Sequence, residues 1–293
     1  MNINTRSKNS SGPAAGIVAS GETLETSAEW ILESLLHQAE ASEADLAYDT
    51  PRRSEQMRKQ SGSYYTPVDV AKFFWDQYFY AAGISDPEGA IKFVRRTKFV
   101  EPSCGSGVLV YALLLKLLKI GVPLKAMRDL DLNLVDINRG ALDYVERQFA
   151  TVSDFLGVDF LRPSFEQIDF LSYTGIKSVR PLVVFGNPPF VANPKGMKWR
   201  NVFADFLDRC LEEASPLAAI HFVLPLSVAF SRDYSAIRAK FRTGGYTVVA
   251  THFDNIPDTL FKSGKPKSNN TNKANSQRCS ILTAFATERH RLY

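Results

Sequence analysis

The chain predicts an α/β fold: a seven-stranded, mostly parallel sheet with helices on both faces. Two observations carry this. From Lys98 onward, short β-branched and aromatic runs alternate with longer apolar runs of helical period, the rhythm of a sheet with helical crossovers. Acidic or amide residues (Glu101, Asp136, Asp169 and Asn187) stand at the ends of the short runs, where open sheets of this class bind ligands.

Residues 1–21 are rich in Ser, Asn, Gly and Ala and hold too little apolar surface to offset ordering entropy, so a disordered tail is expected. Trp30, Ile31, Leu35, Leu36 and Ala39 then recur at helical spacing, predicting a helix from Ser27 to about Leu46 within an extension over 22–60. Arg52, Arg53, Arg58 and Lys59 form either a solvated face or a phosphate contact. In Tyr64-Tyr65-Thr66-Pro67, the Thr66 hydroxyl is expected to cap the helix Val70–Tyr80, with Pro67 at its first position. Such a turn offers hydroxyls and N–H groups to an anion at the helix's positive end.

Phe99-Val100 is the first strand, and the turn Glu101–Gly107 leads into a helix from Val108 to Lys119. A strand Leu132–Ile137 and a helix Ala141–Ser153 follow, and a third strand is placed within Phe155–Phe165, closing with Asp169-Phe170-Leu171. Leu182–Phe185 is the fourth strand, Phe203–Ala214 a helix and Ala219–Leu226 a fully apolar fifth strand. A helix Tyr234–Phe241, a sixth strand Tyr246–His252 and a seventh, Ile281–Ala286, complete the sheet. The Lys-, Asn- and Ser-rich stretch over about 262–278 reads as a flexible insertion.

A length of 293 residues allows one large domain or two modest ones, and 45% hydrophobic with 23% charged residues is the balance of a soluble globular chain. The net charge of +4 permits a nucleic-acid partner without demanding one. Cys104, Cys210 and Cys279 are widely spaced without a CxxC pair, which argues against a zinc knuckle or a disulfide framework and for a reducing, cytoplasmic setting. The most apolar run, Val108–Leu118, is too short to span a bilayer. His221 and His252 fall in strands and read as core histidines.

Two segments carry chemistry. In Glu101-Pro102-Ser103-Cys104-Gly105-Ser106-Gly107 the glycines permit tight turning and close approach of a ligand. No Lys-Ser/Thr follows, as a P-loop requires, and the third glycine of a dinucleotide fingerprint is missing. Asp136, ending the second strand, is placed to accept both hydroxyls of a ribose. Its distance from Glu101 exceeds the roughly 20 residues of a dinucleotide fold, so an adenosine-type ligand is favoured over a nicotinamide dinucleotide. The second segment is Val183-Val184-Phe185-Gly186-Asn187-Pro188-Pro189-Phe190: a buried strand, a glycine that lets the chain turn, and a rigid tip. Pro188 and Pro189 give up their N–H groups and Pro188 keeps Asn187 extended, so the tip displays an amide and carbonyls beside an aromatic ring. Acceptors without neighbouring donors suit an amino group that is to become a nucleophile.

Tyr64-Tyr65-Thr66-Pro67, Glu101–Gly107, Asp136, Asp169-Phe170 and Asn187–Phe190 occur in one order, and this series resembles the N6-adenine DNA methyltransferases of restriction–modification systems. It is most similar to the class whose cofactor motif precedes the catalytic one, as in type I modification subunits. The resemblance covers about residues 60–290 and implies a Rossmann-like S-adenosylmethionine (SAM)-dependent methyltransferase fold, with residues 61–293 as the catalytic domain. Carried over, Tyr65 and Thr66 would cover the methionine end of the cofactor, and Glu101, Pro102, Ser103, Gly105 and Gly107 would cradle it. Asp136 would hold the ribose, with Ile137 beside the adenine, and Asp169 and Phe170 would contact that ring. Asn187 and the Pro188 carbonyl would accept hydrogen bonds from the target amine, with Pro189 keeping the tip rigid and Phe190 stacking on a flipped base. Phe261 would be a second aromatic wall or, alternatively, a core phenylalanine. Lys195, Lys198 and Arg200 would contact DNA phosphates or form a solvated basic loop. No metal is implied.

Members of that family acting alone carry a large recognition region after the catalytic domain, whereas this sequence stops at Tyr293. The resemblance therefore implies a fragment lacking a C-terminal recognition domain, a separate specificity subunit, or loose specificity. The same tip occurs in enzymes that methylate RNA bases or protein glutamine, and a non-catalytic SAM-binding scaffold is the alternative from another class.

Overall fold

The computed structural model describes residues 23–46, 66–214, 217–254, 262–263, 275–276 and 278–286. The expectations for the N-terminal tail, the basic run 52–59, Tyr64, Tyr65 and Phe261 fall outside these residues.

Seven strands form one sheet: β1 (Lys98–Glu101), β2 (Asp131–Asp136), β3 (Ser164–Gln167), β4 (Leu182–Gly186), β5 (Ala218–Pro225), β6 (Tyr246–Phe253) and β9 (Cys279–Ala286), in the order β3-β2-β1-β4-β5-β9-β6. β1 to β5 pair in parallel, while β9 runs antiparallel between β5 and β6. After β3 the chain crosses back over the sheet and lays β4 against the other side of β1. The pair β1 and β4 is therefore the topological switch point, where a crevice opens at the carboxyl ends of the strands. Val100 lies opposite Val184, so the turns that follow these two strands leave the sheet side by side.

Alternation along each strand sends side chains into two cores. Phe99, Val183 and Phe185 pack with α1 (Leu24–Leu46), α2 (Val68–Ala82), α3 (Pro87–Arg96), α4 (Val108–Ile120) and α6 (Arg139–Leu156). Val100, Leu182 and Val184 face the opposite core, with α7 (Val202–Glu213) and α9 (Ser235–Thr243). Between these helices lie α5 (Leu124–Met127) after α4 and α8 (Ser227–Phe230) after β5. The N-terminal helix joins the first core through Ala28, Leu32, Leu35 and Leu36, and Trp30 stacks on Phe155 with ring centroids 5.6 Å apart.

Several expectations are corrected. The helix before the third strand runs on to Leu156, where Gly157 caps it in the left-handed region. Phe160 and Leu161 are buried connector residues, and β3 begins only at Ser164. Helices α3, α5 and α8 were not anticipated, nor were the two-residue strands β7 (Lys262–Ser263) and β8 (Asn275–Ser276) that pair within the insertion. Thr66 does not cap α2: Pro67 holds the cap position and no side-chain cap bond forms there. Instead Glu40 of α1 accepts the Val68 N–H at 3.3 Å, supplying a carboxylate to that helix start from elsewhere in the chain. His252 is exposed, because β6 is the outermost strand of the sheet. Among the described residues no helix is long and apolar enough to cross a membrane.

Candidate active site

The turn after β1 is built by glycine and held by a carboxylate. Gly105 (φ 51°) and Gly107 (φ 83°) occupy the left-handed region that other residues avoid. A Cβ on Gly107 would come within 3.2 Å of the Tyr111 ring and of Val145, so α4 and α6 close on this turn as tightly as its backbone allows. Asp136, the last residue of β2, accepts the Gly105 N–H at 3.0 Å through one oxygen and the Asn138 N–H at 2.8 Å through the other. Burial pushes the Asp136 pKa above the usual carboxylate range, and the N–H groups of Asn138, Gly105 and Ile137 oppose that rise. Glu101 is buried at the start of the turn, and Ile137 stands 70% exposed just past Asp136. Burial, with Asp136 and Glu101 adding to it, drives the Cys104 thiol well above its ordinary value and disfavours the thiolate.

The tip after β4 stands against this turn. Gly186 is extended, not turned as its sequence position suggested, and its missing side chain matters for another reason. A Cβ there would approach Pro102 to 3.3 Å, so glycine permits contact between tip and cradle. Ser103 donates its hydroxyl to the Asn187 carbonyl at 3.4 Å. The Asn187 side-chain amide donates to the Thr66 hydroxyl at 3.1 Å. Thr66, Ser103, Asp136 and Asn187 are thus brought together from four parts of the chain. Phe190 is partly buried, edge-on to Phe203 at 5.8 Å between centroids.

Other candidates sit differently. Asp169 is exposed two residues beyond β3 and accepts the Leu171 N–H at 2.9 Å, starting a short 3-10 turn. The Phe170 ring is enclosed in the core, 4.8 Å from Phe206 and beneath Arg209, so only its backbone can meet a ligand. The loop after the tip is closed by a bridge between Ala192 and Asn201 and pinned by Asn193 to Trp199 and Asp205. Tyr234 donates its hydroxyl to Asn201 at 2.8 Å, tying the loop to the segment before α9. Lys198 is 2.6 Å from Asp208 and 3.1 Å from Glu212, and Lys240 pairs with the same two carboxylates. These partners raise the Lys198 pKa and absorb its charge, which counts against a phosphate contact. Arg200 lies 3.9 Å from Asp233, and Lys195 is exposed with no ion pair among the described residues.

Asn138 is a holding residue that sequence reading missed, and Ser103, expected in the cradle, also restrains the tip. Asn138 does carry a legible signal, because Asn before Arg139-Gly140 is a helix N-cap, and its side chain accepts the Gly140 N–H. Among the described residues no group of three or more His, Cys, Asp or Glu could hold a metal ion.

The fold is similar to that of several solved structures. A modification subunit assigned to a type I restriction enzyme from Vibrio vulnificus YJ016 superposes with a TM-score of 0.51 at 15% identity. The chain has a Rossmann-like fold, which it shares with this subunit. The DrdV–DNA complex gives a TM-score of 0.59 at 14% identity, and the type IIL restriction–modification enzyme MmeI in complex with DNA gives 0.51 at 15%. These matches cover 79%, 85% and 79% of this chain but only 47%, 29% and 38% of the Vibrio, DrdV and MmeI chains, so it spans less than half of each. No protein-family model and no curated protein matches.

Proposed function

We propose that this chain transfers a methyl group from SAM to the N6 amino group of an adenine turned out of DNA. The observation that carries the reading is the contact between an acceptor-rich tip and a glycine turn. The Asn187 carbonyl is reached by Ser103, and Gly186 lies where any side chain would crowd Pro102. A nucleotide-type cofactor in the turn and an amine at the tip would therefore be neighbours. That DrdV and MmeI share the fold and were solved with DNA supports DNA as the substrate.

The residues fit the cofactor. An ionised carboxylate has about four acceptor positions, and the two backbone bonds to Asp136 leave capacity for ribose hydroxyls. Gly105 and Gly107 keep side chains away from the path of the ligand along the turn. When bound, SAM supplies an electrophilic methyl group, and the rest is orientation by the protein. The exocyclic amine of adenine is a weak nucleophile because its lone pair is delocalised into the ring. The Asn187 amide oxygen and the Pro188 carbonyl would accept its two hydrogens and would favour a pyramidal nitrogen with a more available lone pair. Phe190 offers a face to the base, which must leave the duplex to reach the tip. Lys195 and Arg200 would meet the DNA backbone.

Incubation with labelled SAM and duplex DNA, RNA or protein tests the reading. Label on DNA, mapped to N6-methyladenine, is the expected result; label on RNA or protein alone overturns it.

A further inference from the structure

We propose that Thr66 is a positioning residue for the tip: its hydroxyl takes the amide N–H of Asn187 and thereby turns the amide oxygen toward the incoming amine. The inference rests on the proposed reading of the site and adds to it a residue that acts through Asn187. By resemblance Thr66 would touch the cofactor; the geometry points to a second role, linking the segment before the glycine turn to the tip.

The Asn187 Nδ2 lies 3.1 Å from the Thr66 Oγ1, across 121 residues of sequence. An amide has one donor side and one acceptor side, so holding the donor end fixes where the acceptor end points. The reverse orientation would set NH2 against the N–H donors of an amine, donor against donor. Removing the Thr66 acceptor weakens the restraint on rotation about the terminal bond of Asn187, which is intrinsically soft, and lets the two orientations compete. Thr66 can act as an anchor because it is itself held. It is 3% exposed, Pro67 after it is rigid (φ −58°), and Glu40 accepts the Val68 N–H one residue further on. Not being spent on a helix cap, the hydroxyl of Thr66 serves Asn187. Ser103 restrains the backbone of the same residue from the other flank. Asn187 is therefore gripped at its main chain by the glycine turn and at its side chain by the entry to α2, which ties the geometry of the tip to both.

Thr66→Val keeps the shape and removes the acceptor, Thr66→Ser keeps the hydroxyl, and Thr66→Ala repeats the loss with a different shape should the valine variant not fold. In protein labelled with 15N-asparagine, the Asn187 side-chain amide is identified by its disappearance in Asn187→Asp. Its hydrogen exchange should be about tenfold faster in Thr66→Val or Thr66→Ala than in the wild type. Thr66→Val should lower kcat for methyl transfer at saturating SAM about tenfold to hundredfold, beyond any change in SAM affinity read by calorimetry, and Thr66→Ser should restore most of the rate. Equal amide exchange in the wild type and both acceptor-less variants overturns the inference whatever the protein methylates. So does a loss confined to cofactor affinity, or an unchanged kcat. A wild-type protein that transfers no methyl group to DNA, RNA or protein overturns the underlying reading instead, and the exchange measurement still decides whether Thr66 holds the amide.

Discussion

Two sets of polar groups lie on the same sheet and are treated in opposite ways. In the middle of β5, fully buried His221 is closed on itself. Its Nε2 lies 2.8 Å from the Phe74 carbonyl, which can only accept, so Nε2 carries the proton and Nδ1 accepts from the Thr283 hydroxyl at 2.9 Å. Gln77 then donates to the Thr283 oxygen and to the Ile281 carbonyl. At the carboxyl ends of β2 and β4, Asp136 and Asn187 are also fixed by hydrogen bonds, but their partners are turn N–H groups and neighbouring hydroxyls that set direction. A polar group within a sheet must be satisfied by the protein, whereas one at the strand ends can be oriented by the protein and completed by a ligand. The first kind holds the fold together; the second is available for chemistry.

The sharpest way to break this contrast is at Asn187. Asn187→Ala should lower methyl transfer by about a hundredfold to a thousandfold while the thermal midpoint stays close to that of the wild type, read by single-turnover label transfer and circular dichroism. Transfer at the wild-type rate would instead favour a non-catalytic scaffold.

Asp136 comes next. Asp136→Asn leaves one oxygen where two backbone N–H groups were bound and removes the charge, so SAM affinity by calorimetry should fall about tenfold to a hundredfold. The pH dependence has a defined sign. Because burial raises its folded pKa, the stability linked to Asp136 is full below the ordinary carboxylate value and lost as pH rises through the raised one. Cofactor binding needs the charged form and should weaken in the opposite direction, as pH falls through the raised value. Both dependences should flatten in Asp136→Asn.

On the closed side, Thr283→Val strips an acceptor from Gln77 and a donor from His221, and should cost about 1–3 kcal/mol in denaturant unfolding with the methyl-transfer rate per folded molecule unchanged. Burial lowers the His221 pKa to about 3, so the neutral ring contributes stability above the ordinary histidine value that is lost as pH falls from about 6.5 towards that figure. A change in rate without a change in stability would put His221 on the wrong side of the comparison.

Much of this was legible in sequence because the strand ends carry their own chemistry. Glycines before a helix, an acid ending a strand and Asn-Pro-Pro-Phe after another each announce a local geometry. What could not be read depends on contacts distant in sequence. β3 is Ser-Phe-Glu-Gln at the sheet edge, without the apolar pattern that marks a strand, while the apolar Phe160-Leu161 before it only fills the core. Thr66 has every local mark of a helix cap, yet Glu40 reaches the start of that helix and Asn187 claims the hydroxyl. The basic loop after the tip looks uniform, but folding draws only one of its lysines onto α7.

That lysine gives the smallest and most discriminating pair of variants. Lys195 is exposed and makes no ion pair among the described residues, so Lys195→Ala should weaken DNA binding alike for all sequences and reduce the salt-dependence slope by about one charge. Lys198 is already neutralised by Asp208 and Glu212. Lys198→Ala should leave the salt slope unchanged, and since Lys240 and the Trp199 indole still hold Asp208, the stability cost should be at most about 1 kcal/mol. Fluorescence anisotropy with labelled duplex across a salt series reads both. Equal slopes for the two variants would mean that the loop binds phosphate as a unit and that the ion pairs at Lys198 open when DNA arrives.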